Sequence, residues 1–138
     1  GCKNCHDGPN FSRASKLPLY QGKDGMRIFP VFTSDLSRKY NLEKDKGANP
    51  NGKYGQFRIP SLRNIALTYP YFHNGAVTKL EDAIGVMAVS QLGMNYDNIS
   101  PDCTFQKIKC ASGKKLSQQD VNDIANFLRS LSHEKPKT

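Results

Sequence analysis

The sequence predicts a mainly α-helical domain with long irregular connections. Two stretches in the second half space their apolar residues at helical intervals. The first half is crowded with turn-forming residues, and no stretch alternates convincingly as a strand. At 138 residues the chain fits one domain with a single core. Its hydrophobic content of 37% is low for such a domain, so a large bound group is expected to supply apolar contact that side chains here do not. No run of eighteen apolar residues occurs, which excludes a membrane span of that kind.

Each element follows from its own residues. Within 7–57, "DGPNF", "YQGKDG" and "KDKGANPNGKYG" carry the Gly, Pro, Asn and Asp that set tight turns. One short helix is expected at "TSDLSRKYN", with Thr33 or Ser34 as its cap. Loops this long belong in a compact domain when they wrap something, and a flat macrocycle is something to wrap. "VTKLEDAIGVMAVSQLG" sets Thr78 and Glu81 at capping-box spacing, with Leu80, Ala83, Ile84 and Met87 along one face and Gly93 to close the helix. "MNYDNISPDCTFQKIKCASGKK" reads as irregular. "LSQQDVNDIANFLRSL" then offers Ser117 as cap, Asp120 three residues on, and a stripe of Val121, Ile124, Ala125, Leu128 and Leu131. The domain is therefore drawn over residues 1–132, and "SHEKPKT" leaves a polar tail at 133–138.

The net charge is +8, from 20 Lys and Arg against 12 Asp and Glu. The basic residues (Lys3, Lys16, Arg27, Lys39, Lys53, Lys79 and Lys114 among them) are scattered and form no stripe, so nucleic acid is not the expected partner. A solvated basic surface is the simple reading. Steering of an acidic partner is the use such a charge would have.

The chemistry is concentrated in "GCKNCHDG". Cys-x-x-Cys-His is the attachment signature of c-type haem. Two thiols about one helical turn apart match two vinyl positions on one edge of the ring, and the adjoining His places an imidazole under the iron. Structural zinc is the rival, with Cys2 and Cys5 as one pair and Cys103 and Cys110 as the other. The latter pair is separated by six residues, too many for a usual zinc knuckle, and a disulfide is the simpler expectation. Two haem propionates would bring the net charge from +8 to about +6. The sixth iron ligand stays open on the residues alone: Met26, Met87, Met94, His73 and His133 are all candidates. A thioether there would favour ferrous iron and raise the potential.

"GQFRIPSLRNIALTYPYFHNGAVTKLEDAI" resembles the C-terminal, electron-entry haem domain of bacterial dihaem cytochrome c peroxidases, whose wider family includes MauG. The resemblance runs from "CKNCH" to "LSQQDVNDIANFLRSL" and covers nearly all of the chain. It implies a cytochrome c-like fold whose long loops wrap one covalently bound haem, held by Cys2, Cys5 and His6. It also implies Met87 as the distal ligand, since the family's Met lies in the helix after the Phe-His-x-Gly turn. MauG-like members carry Tyr there. Calcium is implied through backbone carbonyls at Thr68 and Pro70, shared with a preceding domain. Arg63 is read as a haem-propionate partner or as an ion pair bracing its loop. Pro60, Pro70 and Gly75 are expected to fix loop geometry, and His73 to brace a loop beside the pocket.

The implied function is electron transfer. The chain would relay electrons from a small donor, a cytochrome c or cupredoxin, to a peroxidatic haem that reduces hydrogen peroxide to water. The alternative is a free-standing monohaem cytochrome c serving another oxidoreductase. The expected location is the periplasm or another exported compartment, and a homodimer is the expected assembly if one forms. The sequence departs from the family in lacking the preceding haem domain and the helix that usually precedes the attachment site. It is therefore expected to be cut or processed just upstream of Cys2. In that case the stripe Val121–Leu131 would lose a neighbour that normally covers it.

Overall fold

Among the described residues, two helices and the turns between them hold the core. The computed structural model describes residues 2–12, 26–28, 39–45, 47, 56–92, 95–96 and 115–133. Most of the helix expected at 33–41 lies outside the described residues, as do Gly93, Met94, Cys103 and Cys110. In chain order come a 3-10 turn at Cys2–Asn4, strand β1 (Met26–Ile28), a 3-10 turn at Leu42–Lys44 and strand β2 (Gln56–Arg58). A 3-10 turn at Ile65–Leu67, helix α1 (Leu80–Leu92), strands β3 (Asn95–Tyr96) and β4 (Lys115–Leu116) and helix α2 (Gln118–Ser130) follow.

The strands are tacks between loops. β1 pairs antiparallel with β2, Met26 facing Arg58 and Ile28 facing Gln56, while β3 and β4 pair in parallel. Runs of two or three residues are too short to show an alternating pattern, which is why none is legible in the sequence.

Helix α2 forms as its residues predict. Ser117 is the N-cap: its Oγ accepts from the Asp120 amide at 3.1 Å, and Asp120 Oδ2 accepts from the Ser117 amide at 2.8 Å. That closes a capping box. Val121, Ala125 and Leu128 are buried, one face of the helix, while Gln118 and Gln119 donate to Asn122 and Asp123 one turn on along the exposed side.

Helix α1 departs from its expectation at its start. The Ala83 amide donates to the Lys79 carbonyl, so Lys79 holds the N-cap position and Thr78 stands one residue too early for a capping box. Glu81 faces α2, where its Oε1 accepts from Arg129 Nη2. Asp82 Oδ2 accepts from the Tyr40 hydroxyl. Two carboxylates in the first turn suit the positive end of the helix dipole.

The expected single apolar face is also wider than drawn. Leu80 and Ala83 enter one cluster with Tyr71, Val77, Ala125 and Leu128. Val86, Ala88 and Val89 enter a second with Leu42, Leu116 and Val121. The start of α1 thus meets the end of α2 and its later turns meet the start of α2, so the two helices run in opposite senses. Tyr40, Phe72, Ile84 and Ile124 touch both clusters and join them. Full burial of each valine among Val77, Val86, Val89 and Val121 contributes roughly 1.5–3 kcal/mol.

The turn 71–77 feeds α1. The Tyr71 amide donates to the Val77 carbonyl at 2.6 Å, and the Gly75 amide to Phe72 at 3.2 Å. Gly75 sits at φ +65, and a Cβ there would lie 3.3 Å from Pro70 Cγ. The left-handed φ favours glycine, and the close Pro70 ring leaves little room for a side chain.

Candidate functional site

The first turn of the chain is helical. The amides of Cys5 and His6 both donate to the Cys2 carbonyl, at 3.1 and 2.9 Å. Side chains three residues apart on a 3-10 turn lie on one side, which brings Cys2 and Cys5 into register. Both thiols are unbridged, Cys2 exposed and Cys5 half-buried.

His6 Nδ1 lies 2.9 Å from the Phe11 carbonyl oxygen. A carbonyl can only accept, so Nδ1 carries a proton, and in the neutral ring the lone pair is on Nε2. A bond of this kind is the usual support of a metal-ligating imidazole, fixing tautomer and ring orientation together.

The acceptor belongs to a loop held from outside. Gly8 and Phe11 have φ of 74 and 48, and the Phe11 amide donates back to Gly8 at 3.0 Å. Segment 59–63 ties this loop down at three points. Ser12 Oγ donates to the Ile59 carbonyl at 2.7 Å, Ser61 Oγ to Asn10 at 2.6 Å, and Arg63 Nε to Pro9 at 2.6 Å. The Arg63 guanidinium carbon is 5.4 Å from the Phe11 ring centroid, a cation–π contact, and the Phe11 ring meets Phe127 of α2 edge-on at 6.1 Å. Arg63 therefore braces the loop at 8–12 through backbone and ring.

The remaining candidates sit elsewhere. Met87 is half-buried on α1 and packs against the cluster of Val86, Val89 and Val121. Met26 lies in β1, with its backbone paired to Arg58. His73 is exposed; its Nδ1 lies 2.9 Å from Asp45 Oδ1 and its ring packs edge-on against Phe57 at 5.7 Å, a brace between the turn 71–77 and the segment 39–45. His133 is exposed and holds Asn64 Oδ1 with its amide at 2.9 Å. Thr68 and Pro70 flank the exposed Tyr69 on a surface turn, where Thr68 Oγ1 donates to the Ile65 carbonyl. The structure thus gathers Cys2, Cys5, His6 and Arg63 into one unit, with Met87 in the core wall and Thr68 and Pro70 on a separate turn. Sequence reasoning missed Ser12, Ser61 and the acceptor Phe11; the Pro-Ser-x-Arg run was visible, but not its partners some fifty residues away.

A family model described as cytochrome c matches residues 39–132. The chain belongs to the cytochrome c family. It is 31% identical over 138 residues to "Cytochrome c551 peroxidase" of Pseudomonas aeruginosa, covering 99% of this chain and 32% of that one. To "Cytochrome c peroxidase Ccp" of Escherichia coli strain K12 it is 34% identical over 131 residues, covering 95% of this chain and 22% of that one. A stretch of 38 residues, 28% of this chain, is 50% identical to "Methylamine utilization protein MauG" of Paracoccus denitrificans, where it covers 10%. The chain thus spans about a third or less of the length of these relatives.

For a cytochrome c, covalent haem and electron transfer are the family's chemistry, and the residues present fit the group. Two cysteines outside any disulfide stand one turn apart, and the next residue is an imidazole whose Nε2 is left as the donor. Among the described residues no group of three or more His, Cys, Asp and Glu side chains is placed to hold a metal ion; the zinc alternative needs Cys103 and Cys110, outside the described residues. Among the described residues no helix is long and apolar enough to cross a membrane.

Proposed function

We propose that this cytochrome c is the electron-entry haem domain of a cytochrome c peroxidase. It accepts single electrons from a small donor protein, a cytochrome c or cupredoxin, and relays them to a peroxidatic haem on a preceding domain, where hydrogen peroxide is reduced to water. The observation that supports this is the His6 imidazole, with Nδ1 tied to the Phe11 carbonyl beside two cysteines outside any disulfide. The relatives printed as peroxidases supply the direction of the reading.

Cys2 and Cys5 would hold one haem as thioethers, and His6 Nε2 and the Met87 thioether would be the groups that ligate its iron. Haem c, when bound, supplies a one-electron ferric–ferrous couple. With Met87 as a ligand, peroxide would find no open place on this haem, and its reduction would fall to the other domain. The valines packed around α1 keep water from that side and favour the less charged, reduced form. Arg63 has its Nε committed to Pro9, which leaves the terminal nitrogens of its fork for a propionate. Carbonyls of Thr68 and Pro70 contribute to a calcium ion shared with the preceding domain. The protein works in the periplasm, where haem c is attached.

The test is the haem protein itself, matured in a host that attaches haem c. Colour that survives acid–acetone extraction, with a Met–iron charge-transfer band that vanishes in Met87→Ala, supports the ligand set. A colourless polypeptide, or a high-spin ferric spectrum in the unaltered protein, overturns it. The relay is tested by mixing the reduced protein with the preceding haem domain and hydrogen peroxide. Oxidation that requires that domain supports the relay, and a reduced haem that persists makes this a free-standing cytochrome.

A further inference from the structure

We infer that Ser61 and Arg63 are positioning residues for the His6 imidazole, acting through the backbone of residues 9–11. The inference rests on the reading of His6 as an iron ligand. Three successive carbonyls of one loop are each committed: Pro9 accepts from Arg63 Nε at 2.6 Å, Asn10 from Ser61 Oγ at 2.6 Å, and Phe11 from His6 Nδ1 at 2.9 Å. The two side chains are themselves coupled, since the Arg63 amide donates to Ser61 Oγ at 3.1 Å.

The loop needs this outside hold. Gly8 and Phe11 both have positive φ, and the bond from the Phe11 amide to Gly8 leaves the carbonyls of residues 9–11 to be fixed by other groups. Ser61 and Arg63 fix the first two, and peptide planarity carries that constraint to the third. The Arg63 guanidinium over the Phe11 ring pins the same residue by its side chain. Ser12, held to Ile59, anchors the far end.

The consequence is electronic. A carbonyl held against Nδ1–H makes Nε2 a stronger donor, which stabilises ferric iron. Slackening the carbonyl weakens that support and favours ferrous iron. Ser61→Ala removes the clamp without changing charge. Arg63→Lys keeps the charge and removes the Nε donor. Loss of a positive charge would shift the equilibrium the opposite way, so the direction separates positioning from electrostatics.

The experiment uses the haem-loaded protein. The reduction midpoint is measured by equilibrium titration, and solvent exchange of the His6 Nδ1 proton is followed by nitrogen-15 NMR in the reduced state. Ser61→Ala is expected to shift the ferric–ferrous equilibrium about two- to tenfold toward ferrous, the worth of one net hydrogen bond. Tenfold corresponds to ~59 mV for one electron. Nδ1 proton exchange is expected to accelerate in the same variant, and Ser61→Thr, which keeps the hydroxyl, to restore both readings. Should Ser61→Ala fail to load haem, Arg63→Lys carries the test with the same two readings. A wild-type potential and wild-type exchange in a correctly ligated variant overturn the inference, even if thermal stability falls. An unaltered protein without a His-ligated haem would instead overturn the ligand reading beneath it.

Discussion

Tyr40→Phe removes a hydroxyl that donates to Asp82 in the first turn of α1, and so loosens the segment 39–45 from the helix. A hydrogen bond to a charged group contributes ~1.5–3 kcal/mol. Tyr40 is half-buried, so solvent screening brings the expected loss at pH 8 to about 1–2 kcal/mol. The bond to Asp82 first, then burial, then the nearby carboxylate charge push the Tyr40 phenol from 10.0 up to about 12. In the unfolded chain the phenol ionises near its ordinary value, about 10. The contribution is therefore complete below that value and is lost as pH rises through about 12. Two pKa units cap the pH-dependent part at ~2.7 kcal/mol, with about half of it gone at pH 11. The stability gap between wild type and Tyr40→Phe should narrow by about 1 kcal/mol from pH 8 to pH 11. Urea unfolding at the two pH values gives the gap, and carbon-13 NMR of the tyrosine Cζ in the reduced protein gives the titration. Equal stabilities at pH 8, a gap that holds constant to pH 11, or a late titration that survives in Tyr40→Phe would each refute the reasoning.

Ser117→Ala should cost about 1 kcal/mol in urea unfolding, since it removes the side-chain half of the α2 capping box. Gly75→Ala forces a left-handed backbone on an L residue and brings its Cβ to 3.3 Å from Pro70 Cγ, which should lower stability by about 1–2 kcal/mol. Arg129→Gln breaks the pair with Glu81, whose carboxyl the Arg129 hydrogen bond holds below its ordinary range. A depressed carboxyl stabilises the fold above its unfolded pKa and loses that contribution as pH falls through the folded one. The variant should thus be less stable than wild type at pH 7, by under about 1 kcal/mol for so exposed a pair, and the gap should close on acidification below the ordinary glutamate range.

What was legible in the sequence was local. Ser117 and Asp120 sit three residues apart and satisfy each other, so cap, stripe and helix agree in α2. The turn at Cys2–His6 is equally local, since the amides of Cys5 and His6 both bond the Cys2 carbonyl. In α1 the same reasoning fails because the partners are distant: Glu81 has the right spacing to serve Thr78, yet it bonds Arg129, 48 residues away. Its apolar face was drawn too narrow because two clusters surround it, and a helix packed on several sides has no single stripe to reveal. The clamp on His6 was hidden for a related reason. Arg63 reaches Pro9 across 54 residues through backbone carbonyls, and a carbonyl carries no residue identity for a pattern to catch.

The passage of α1 through both apolar clusters ties the fate of the domain to that one segment. To peel it away would flood both halves of the interior at once, so no partial opening can free its central amides while sparing the remainder. Val86 and Val89 amide protons should exchange with deuterium only as fast as the whole domain unravels. The Met87 side chain, packed on that segment, then rides on the part of the molecule that opens last.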